Sequence, residues 1–459
     1  MRPFRVATGI LAAAAAGGAA ALAGQPYAIS ATIAVTVLTA AWWVSEALPI
    51  PATSLVPFAL FPALGVLSHR EAAAALGDHV IALLMGAFML SKALERSGAH
   101  ERLALYMIRL VGGSGGRLVF AFMISGGLIS MWVANTATCL MLTPIALAIL
   151  ARTEDRALDA PVLLGIAYSA SIGGVGTLIG TPPNVIFAGV YEKTTGAEYG
   201  FIEWMKTGVP VVLVGIPLAA LWLSRGLKSG APVVMPAVGA WTSAESRTLG
   251  VFAAAILLWV TRTDPYGGWS SLLGLEGAGD STVALLAVLA MFLIPSGKVV
   301  DGRRETLLDW KTATDIPWGM LLLFAGGICI AVAFEKSGLS ALLGQQLAGA
   351  KDLPLFLLIL IICLVVTLMS ELTSNTATAT LILPVLAAGA NGAGLDPALL
   401  MAPATMAASS GFMLPVSTAP NAIVYAYGKF PMTRMVREGL VLDVGFAFVI
   451  ASVCWLMLR

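Results

Sequence analysis

The sequence contains little charge, little histidine and little cysteine. Charged residues make up 11% of the 459-residue chain, which has 3 His and 4 Cys. The cysteines lie inside apolar runs and show no CxxC or Cys/His spacing of a metal site. Signatures of the nucleotide P-loop, of HExxH metalloproteases and of Ser/His catalysis are also missing. We therefore expect neither an enzyme nor a histidine-based metal site, and no nucleic-acid partner.

Apolar residues dominate the chain instead. They make up 58% of it, and the mean hydropathy is +0.90. Runs of about 17–20 apolar residues recur, the length that crosses a hydrocarbon layer of about 30 Å. We predict an all-α polytopic membrane protein. The N-terminal stretch MRPFRVATGILAAAAAGGAAALAG resembles a secretory signal. Because many spans follow it, we favour an uncleaved first transmembrane helix.

The distribution of Lys and Arg predicts the orientation in the membrane. If Arg2 and Arg5 keep the N-terminus in the cytoplasm, most of the 26 Lys and Arg residues fall at cytoplasmic span ends. The span assignment does not force this asymmetry. We therefore expect a multi-pass protein of the inner (plasma) membrane with a cytoplasmic N-terminus.

Three polar blocks occur twice, in the same order. LERSG at 94–98 matches FEKSG at 334–338, and ANTATCLMLTP at 134–144 matches SNTATATLILP at 374–384, both 240 positions apart. GTPPNVI at 180–186 matches STAPNAI at 417–423, 237 positions apart. Five predicted crossings separate the two copies, and an odd number turns the second copy over. Inverted-topology repeats of this kind are common in secondary transporters.

The repeated residues suit the binding of ions. Asn and Thr supply neutral donors and acceptors, which must face protein, water or a ligand inside a membrane. Proline in GTPPN and STAPN breaks a helix, and the free N–H groups of a new helix start attract anions. Freed carbonyls suit a hard cation such as Na⁺. The two Asn-Thr and two Pro-Asn elements could therefore converge on one site near the membrane midplane.

Other readings of these residues exist. Asn, Thr and Ser can instead form hydrogen bonds between packed helices. Packing alone, however, does not require the Asn-Thr and the Pro-Asn elements to repeat together. Glu371 could tune a cation site or help to fold the turn beside it. No Lys or Arg lies within the repeated Asn-Thr and Pro-Asn elements. A bound anion would therefore need bound cations, helix ends and neutral donors.

With these motifs the chain resembles the divalent anion/sodium symporter family, the carriers of dicarboxylates, citrate and sulfate. The resemblance runs from WWVSEALPIP at 42–51 to the last span and includes ASSGFMLPVSTAPNAIV at 408–424. It implies about 11 transmembrane helices plus two re-entrant hairpins. It also implies a homodimer in which a transport domain moves against a scaffold domain as an elevator.

Carried onto this sequence, the resemblance divides the chain into four segments. These are the N-terminal scaffold helices at 1–78, a first inverted repeat at 79–224, a connector with scaffold helices at 225–315, and a second inverted repeat at 316–459. The first repeat contains a hairpin at 117–151 and a broken helix at 161–190. The second contains a hairpin at 355–390 and a broken helix at 398–427.

The resemblance also implies the binding residues. It implies a first Na⁺ site at Ser130, Ala134, Asn135 and Gly180. It implies a second Na⁺ site at Ser370, Ser374, Asn375 and Ser417. It implies substrate contacts at Asn135, Thr136, Thr181, Ser374, Asn375, Thr376 and Thr418.

The first motif departs from the family pattern, because Ala134 stands where a serine is expected. A cation or substrate at this position loses one side-chain ligand. We expect a secondary transporter that imports C4 dicarboxylates (succinate, malate, fumarate) with Na⁺ as the coupling ion. A Na⁺-independent dicarboxylate exchanger and a citrate or sulfate-like carrier remain open as alternatives. An anion channel is the alternative from another class.

Overall fold

The computed structural model describes residues 3–112, 114–153, 155–227, 239–263, 267–300, 302–347 and 353–459. Its regular structure is almost entirely helical. The helices in chain order are α1 (Pro3–Leu22), α2 (Tyr27–Ser45), α3 (Ile50–Thr53), α4 (Val56–Ala63), α5 (His69–Ala74), α6 (His79–Ser97), α7 (Ala99–Val111), α8 (Gly116–Ser130), α9 (Asn135–Leu150), α10 (Asp159–Gly174), α11 (Pro182–Thr195), α12 (Phe201–Ser224), α13 (Ser243–Val260), α14 (Gly268–Leu272), α15 (Asp280–Leu293), α16 (Trp310–Thr314), α17 (Trp318–Ser337), α18 (Leu339–Leu347), α19 (Leu355–Leu372), α20 (Asn375–Ala393), α21 (Ala398–Ala408), α22 (Ala419–Ala426) and α23 (Met432–Met457).

Within the described residues, ten helices are long and apolar enough to cross a membrane. They follow the apolar runs of the sequence, and the prediction of an all-α polytopic membrane protein is confirmed. One small departure is an antiparallel ribbon of two strands, β1 (Pro295–Val300) and β2 (Arg303–Thr306). It forms where only a connector was expected. The Asp-Gly pair between the strands, with Gly302 at φ +73°, is the signal that could have predicted it.

Two stretches of the chain have the same order of elements. Helices α6 to α12 correspond one by one to helices α17 to α23. In both stretches the first helix ends at a glycine in the left-handed conformation, Gly98 at φ 76° and Gly338 at φ 83°. Glycine suits these positions because a side chain would strain this backbone. The inverted orientation of the second stretch stays a prediction from the number of crossings.

Each stretch contains one helical hairpin. In the first, α8 and α9 have 15 and 16 residues, or about 22–24 Å at 1.5 Å per residue. That is shorter than a hydrocarbon layer of about 30 Å. In the second, α19 and α20 have 18 and 19 residues and reach spanning length. Re-entry of both hairpins stays a prediction.

Helix α10 anchors the first hairpin. All of its residues are buried, and it packs against α8, α9 and α12. The contact with α8 is closest at Gly173, where an added Cβ would lie 2.2 Å from the Gly127 carbonyl oxygen. A side chain at this position would push the hairpin away from α10.

We expect Gly173→Ala to destabilise the protein by about 1–3 kcal/mol or more, because the backbone of α8 must shift to admit the methyl group. Gly250→Ala is the matched control, since Gly250 lies inside α13 with open space around its Cα. There, alanine should leave stability unchanged or raise it by up to about 1 kcal/mol. Thermal unfolding in detergent measures both. Equal melting temperatures for the two variants would contradict the close approach of α8 and α10.

Candidate functional site

The hairpin tips and the broken helices meet around one cavity. Its volume is about 430 Å³. Four polar segments contribute to its wall, namely 134–136, 179–183, 374–376 and 416–420. Further lining comes from α6, from Trp132 and from the start of α17. The two halves of the chain therefore supply equivalent pieces of the same cavity.

The first tip is held together by the side-chain amide of Asn135. This amide lies 2.6 Å from Ser130 Oγ, which closes the turn between α8 and α9. The surrounding acceptors favour the orientation in which Asn135 Nδ2 donates to Ser130 Oγ and to the carbonyls of Ala170 and Gly180, both at 3.2 Å. The tip is thereby tied to the broken helix that follows it.

The second tip is built in the same way. Ser370 Oγ lies 2.8 Å from Asn375 Oδ1 and donates to the carbonyl of Ala408 at 2.5 Å. Asn135 and Asn375 are the first residues of α9 and α20. Because the first amides of a helix have no partner within it, both helix starts offer N–H groups and a positive dipole end at the cavity.

The first broken helix is closed by an asparagine. Helix α10 ends at Gly174, and α11 begins at Pro182 after Thr181. From the first turn of α11, the buried Asn184 donates through Nδ2 to the carbonyls of Gly174 at 2.9 Å and Thr177 at 2.7 Å. Its amide nitrogen therefore satisfies two carbonyls that the broken helix has freed.

The second broken helix repeats this arrangement 237 positions later. Asn421 Nδ2 donates to the carbonyls of Gly411 and Leu414, both at 3.0 Å. Ser417 adds a hydroxyl that reaches the same two carbonyls at 3.1 and 2.9 Å. Among the described residues that line the cavity, neither Asn184 nor Asn421 appears. Their part is to hold the loops.

The structure brings most of the residues proposed from the sequence into this cavity. Those that line it are Ala134, Asn135, Thr136, Gly180, Thr181, Ser374, Asn375, Thr376, Ser417 and Thr418. Ser130 and Ser370 do not line it. They are buried behind the tips and contact Asn135 and Asn375.

The wall of the cavity is electrically neutral. Among the described residues that line it, none is Asp, Glu, Lys or Arg. Oxygen atoms surround both tips. Those of Ser130, Ala170 and Gly180 lie within 3.2 Å of the Asn135 amide, and those of Asn375 and Ala408 lie within 2.8 Å of Ser370 Oγ. Neutral oxygens of this kind suit hard cations, whereas the described residues contain no His, Cys, Asp and Glu cluster for a transition metal.

The two loops differ in what lies behind them. In the first half, a Cβ at Gly176 would lie 3.0 Å from Met131 Cε and 3.1 Å from Val212 Cγ2, so the backing is apolar. The residue 240 positions after Met131 is Glu371. Val212 in α12 corresponds to Asp443 in α23. Four residues before each of them is a glycine, Gly208 or Gly439, that lies close to a backbone carbonyl of the loop in its own half.

In the second half, these two carboxylates bind the backbone of the loop. Glu371 accepts from the amides of Met413 at 2.8 Å and Leu414 at 3.0 Å. Asp443 accepts from the amide of Phe412 at 3.0 Å. Glu371 therefore helps to fold the turn. Asp443 was missed in the sequence, although an acidic residue within an apolar span is itself a signal of function.

We expect Glu371→Ala to lower the free energy of unfolding by about 2–6 kcal/mol, because the amides of Met413 and Leu414 lose their buried acceptor at about 1–3 kcal/mol each. Glu335→Ala is the control, since Glu335 is exposed on α17 and should change stability by less than about 0.5 kcal/mol. Thermal unfolding in detergent compares them. A Glu371→Ala protein that melts like the control would show that the carboxylate does not hold the loop.

Comparisons with known proteins identify the family. Residues 40–399 match a family model described as citrate transporter. The chain is 38% identical over 429 residues to the sodium-dependent dicarboxylate transporter SdcS of Staphylococcus saprophyticus, covering 89% of this chain and 82% of that protein. It is 36% identical over 445 residues to SdcS of Staphylococcus aureus strain USA300, covering 92% and 85%.

A solved structure shows the same fold. The crystal structure of the Alcanivorax borkumensis YdaH transporter aligns with a TM-score of 0.59 at 16% identity, covering 92% of this chain and 98% of that one. At that identity the likeness shows the fold alone. The family model, the two relatives and the paired motifs together show that this chain belongs to the citrate transporter family, among the divalent anion/sodium symporters.

Proposed function

We propose that this chain is a secondary transporter that imports C4 dicarboxylates, such as succinate, malate and fumarate, coupled to Na⁺. The observation that carries the proposal is the neutral cavity into which both hairpin tips and both broken loops project. The relatives that are named sodium-dependent dicarboxylate transporters support the same substrate and ion.

The substrate would lie between the two tips. A dicarboxylate has two anionic ends, and the cavity has two equivalent sets of neutral donors, Asn135 with Thr136 and Asn375 with Thr376. Each set stands at a helix start, where N–H groups and the helix dipole favour a carboxylate. Thr181 and Thr418, at the starts of α11 and α22, would add hydroxyl contacts. A volume of about 430 Å³ lies within the usual range of small-molecule sites.

Two Na⁺ ions would supply the positive charge that the cavity wall lacks. The first would bind near Ser130, Ala134, Asn135 and Gly180. The second would bind near Ser370, Ser374, Asn375 and Ser417. Because the wall is neutral, a doubly charged anion is stable there only with cations beside it. This requirement would couple the uptake of the substrate to the uptake of Na⁺.

The first cation site would be the poorer one. Ala134 has no hydroxyl, and its carbonyl already accepts from the Thr138 amide at 3.0 Å, which leaves one lone pair. The Ser374 carbonyl likewise accepts from the Thr378 amide, at 2.8 Å, but Ser374 also has a hydroxyl. This difference favours one alternative specifically, a dicarboxylate exchanger that does not need Na⁺. Citrate as substrate is the second alternative, supported by the description of the family model.

The same proposal includes how the site moves. The hairpins and broken helices would form a transport domain that slides as an elevator against the scaffold helices of 1–78 and 225–315. The protein would work as a homodimer in the plasma membrane with its N-terminus in the cytoplasm. Movement of the transport domain would expose the cavity to each side of the membrane in turn. An anion channel does not require such a movement.

Uptake of labelled succinate into proteoliposomes tests the proposal. We expect an inward Na⁺ gradient to drive saturable uptake that unlabelled malate and fumarate reduce. Uptake that does not depend on Na⁺ but requires dicarboxylate inside the proteoliposomes would establish the exchanger instead. Flux without saturation or trans-stimulation would indicate a channel.

Substitutions at the tips test the site in the same assay. Asn135→Ala and Asn375→Ala should each lower uptake at least about 100-fold, because the site loses both a ligand and the closure of its tip. Asn391→Ala is the control, since Asn391 lies near the far end of α20, away from the tip, and should leave uptake unchanged. Normal uptake by both tip variants would refute the assignment.

A further inference from the structure

A second cavity opens where α12 ends and α23 begins. Its volume is about 550 Å³. Both helices are candidate membrane spans, so the cavity lies at the membrane surface rather than within the lipid layer. The described residues that line it are Leu223, Arg225, Thr433, Arg434, Arg437 and Glu438. The sequence places all three arginines at cytoplasmic span ends.

One of the three arginines is fixed by its neighbours. Arg225 Nη2 contacts Glu438 Oε2 at 2.6 Å, and Nη1 donates to the Trp222 carbonyl at 2.5 Å. Its guanidinium lies 3.6 Å from the centre of the Trp222 ring. Glu438, the one acidic group among the described residues of the lining, is therefore already neutralised. The pair joins α12 to α23 and sets the shape of the cavity.

The other two arginines have no acidic partner among the described residues. Arg434 and Arg437 lie three positions apart on the first turns of α23, so they share one face of the helix. The start of α23 adds the amides of its first residues, Met432 and Thr433, and the positive end of its dipole. The cavity therefore has an excess of positive charge and several donors.

Apolar stripes lead from the cavity along both helices. The side of α12 that leads to Arg225 carries three apolar residues, Val214, Leu218 and Leu221. They precede Arg225 by eleven, seven and four positions, which are helical spacings of one face. All three are exposed, with Leu221 at 62%. The positively charged cavity thus continues directly into apolar surface.

Helix α23 shows the same pattern. The side of α23 that carries Arg437 also carries four apolar residues, three to eleven positions further along the helix: Leu440, Val441, Val444 and Phe448. Each of them is at least 40% exposed. A ligand that matches both helices needs an anionic head and long apolar chains.

We propose that this cavity binds the phosphate of an anionic membrane phospholipid, with the acyl chains lying along α12 and α23. The guanidinium groups of Arg434 and Arg437 bind the phosphate oxygens, and the Thr433 hydroxyl adds a donor. A soluble phosphate would use the arginines and leave the apolar stripes uncovered. The site is independent of the transport cavity and of its substrate.

Binding of phosphatidylglycerol to the full-length protein in detergent micelles tests the site. The probe carries a label in its acyl chain, and phosphatidylcholine with the same chains is the neutral comparison. We expect saturable binding of phosphatidylglycerol at least about tenfold tighter than that of phosphatidylcholine. Equal binding of the two lipids would overturn the proposal. So would displacement of the lipid by millimolar inorganic phosphate, which would indicate a site for a soluble anion.

Substitutions then locate the site. Arg434→Gln with Arg437→Gln should weaken phosphatidylglycerol binding about 10- to 30-fold, because two cations are lost next to the phosphate. Arg152→Gln with Arg304→Gln removes the same charge from two other exposed arginines and should leave the affinity within about twofold. Equal losses in both double variants would show diffuse attraction and overturn the proposal. If the first pair fails to fold, Arg437→Gln alone, at an exposed position, should still weaken binding about threefold.

Discussion

Every backbone N–H and C=O group inside a membrane needs a hydrogen-bond partner, and the structure depends on this constraint. Both broken helices free such groups, and both provide a buried side chain to satisfy them. The side chains of Asn184 and Asn421 donate to backbone carbonyls of the two loops. Glu371 and Asp443 take up the amides of the second loop. Without these contacts the loops could not remain non-helical, and the cavity that they wall would not exist.

The two halves of the chain therefore share the same backbone arrangement at the cavity and differ in the side chains around it. The hydrogen bonds of the tips and loops recur at offsets of 240 and 237 positions, so each half presents a helix start and a closed loop to the cavity. The second half adds a serine hydroxyl at its tip and two carboxylates behind its loop. The first half has Ala134, Met131 and Val212 at those positions. We infer that the second half provides the stronger cation site.

Much of the site could be predicted from the sequence, because polar residues inside apolar runs are rare and these ones recur. Asn135 and Asn375 were found by their repetition, and the structure brings them to the same cavity. The exact role of a polar residue was harder to predict. Ser130 and Ser370 support the tips from behind instead of lining the cavity, which depends on the turn geometry. Asp443 lies 31 residues from Phe412, and no local pattern connects a side chain with an amide so far away.

The central claim is that one dicarboxylate binds between the two tips with Na⁺ beside each. A cryo-electron microscopy structure of the full-length protein with Na⁺ and succinate would test it most directly. The account predicts density for succinate bridging Asn135 with Thr136 and Asn375 with Thr376. It also predicts Na⁺ density next to Asn135 and next to Asn375. Succinate bound outside this cavity, or touching residues of one half only, would contradict the account.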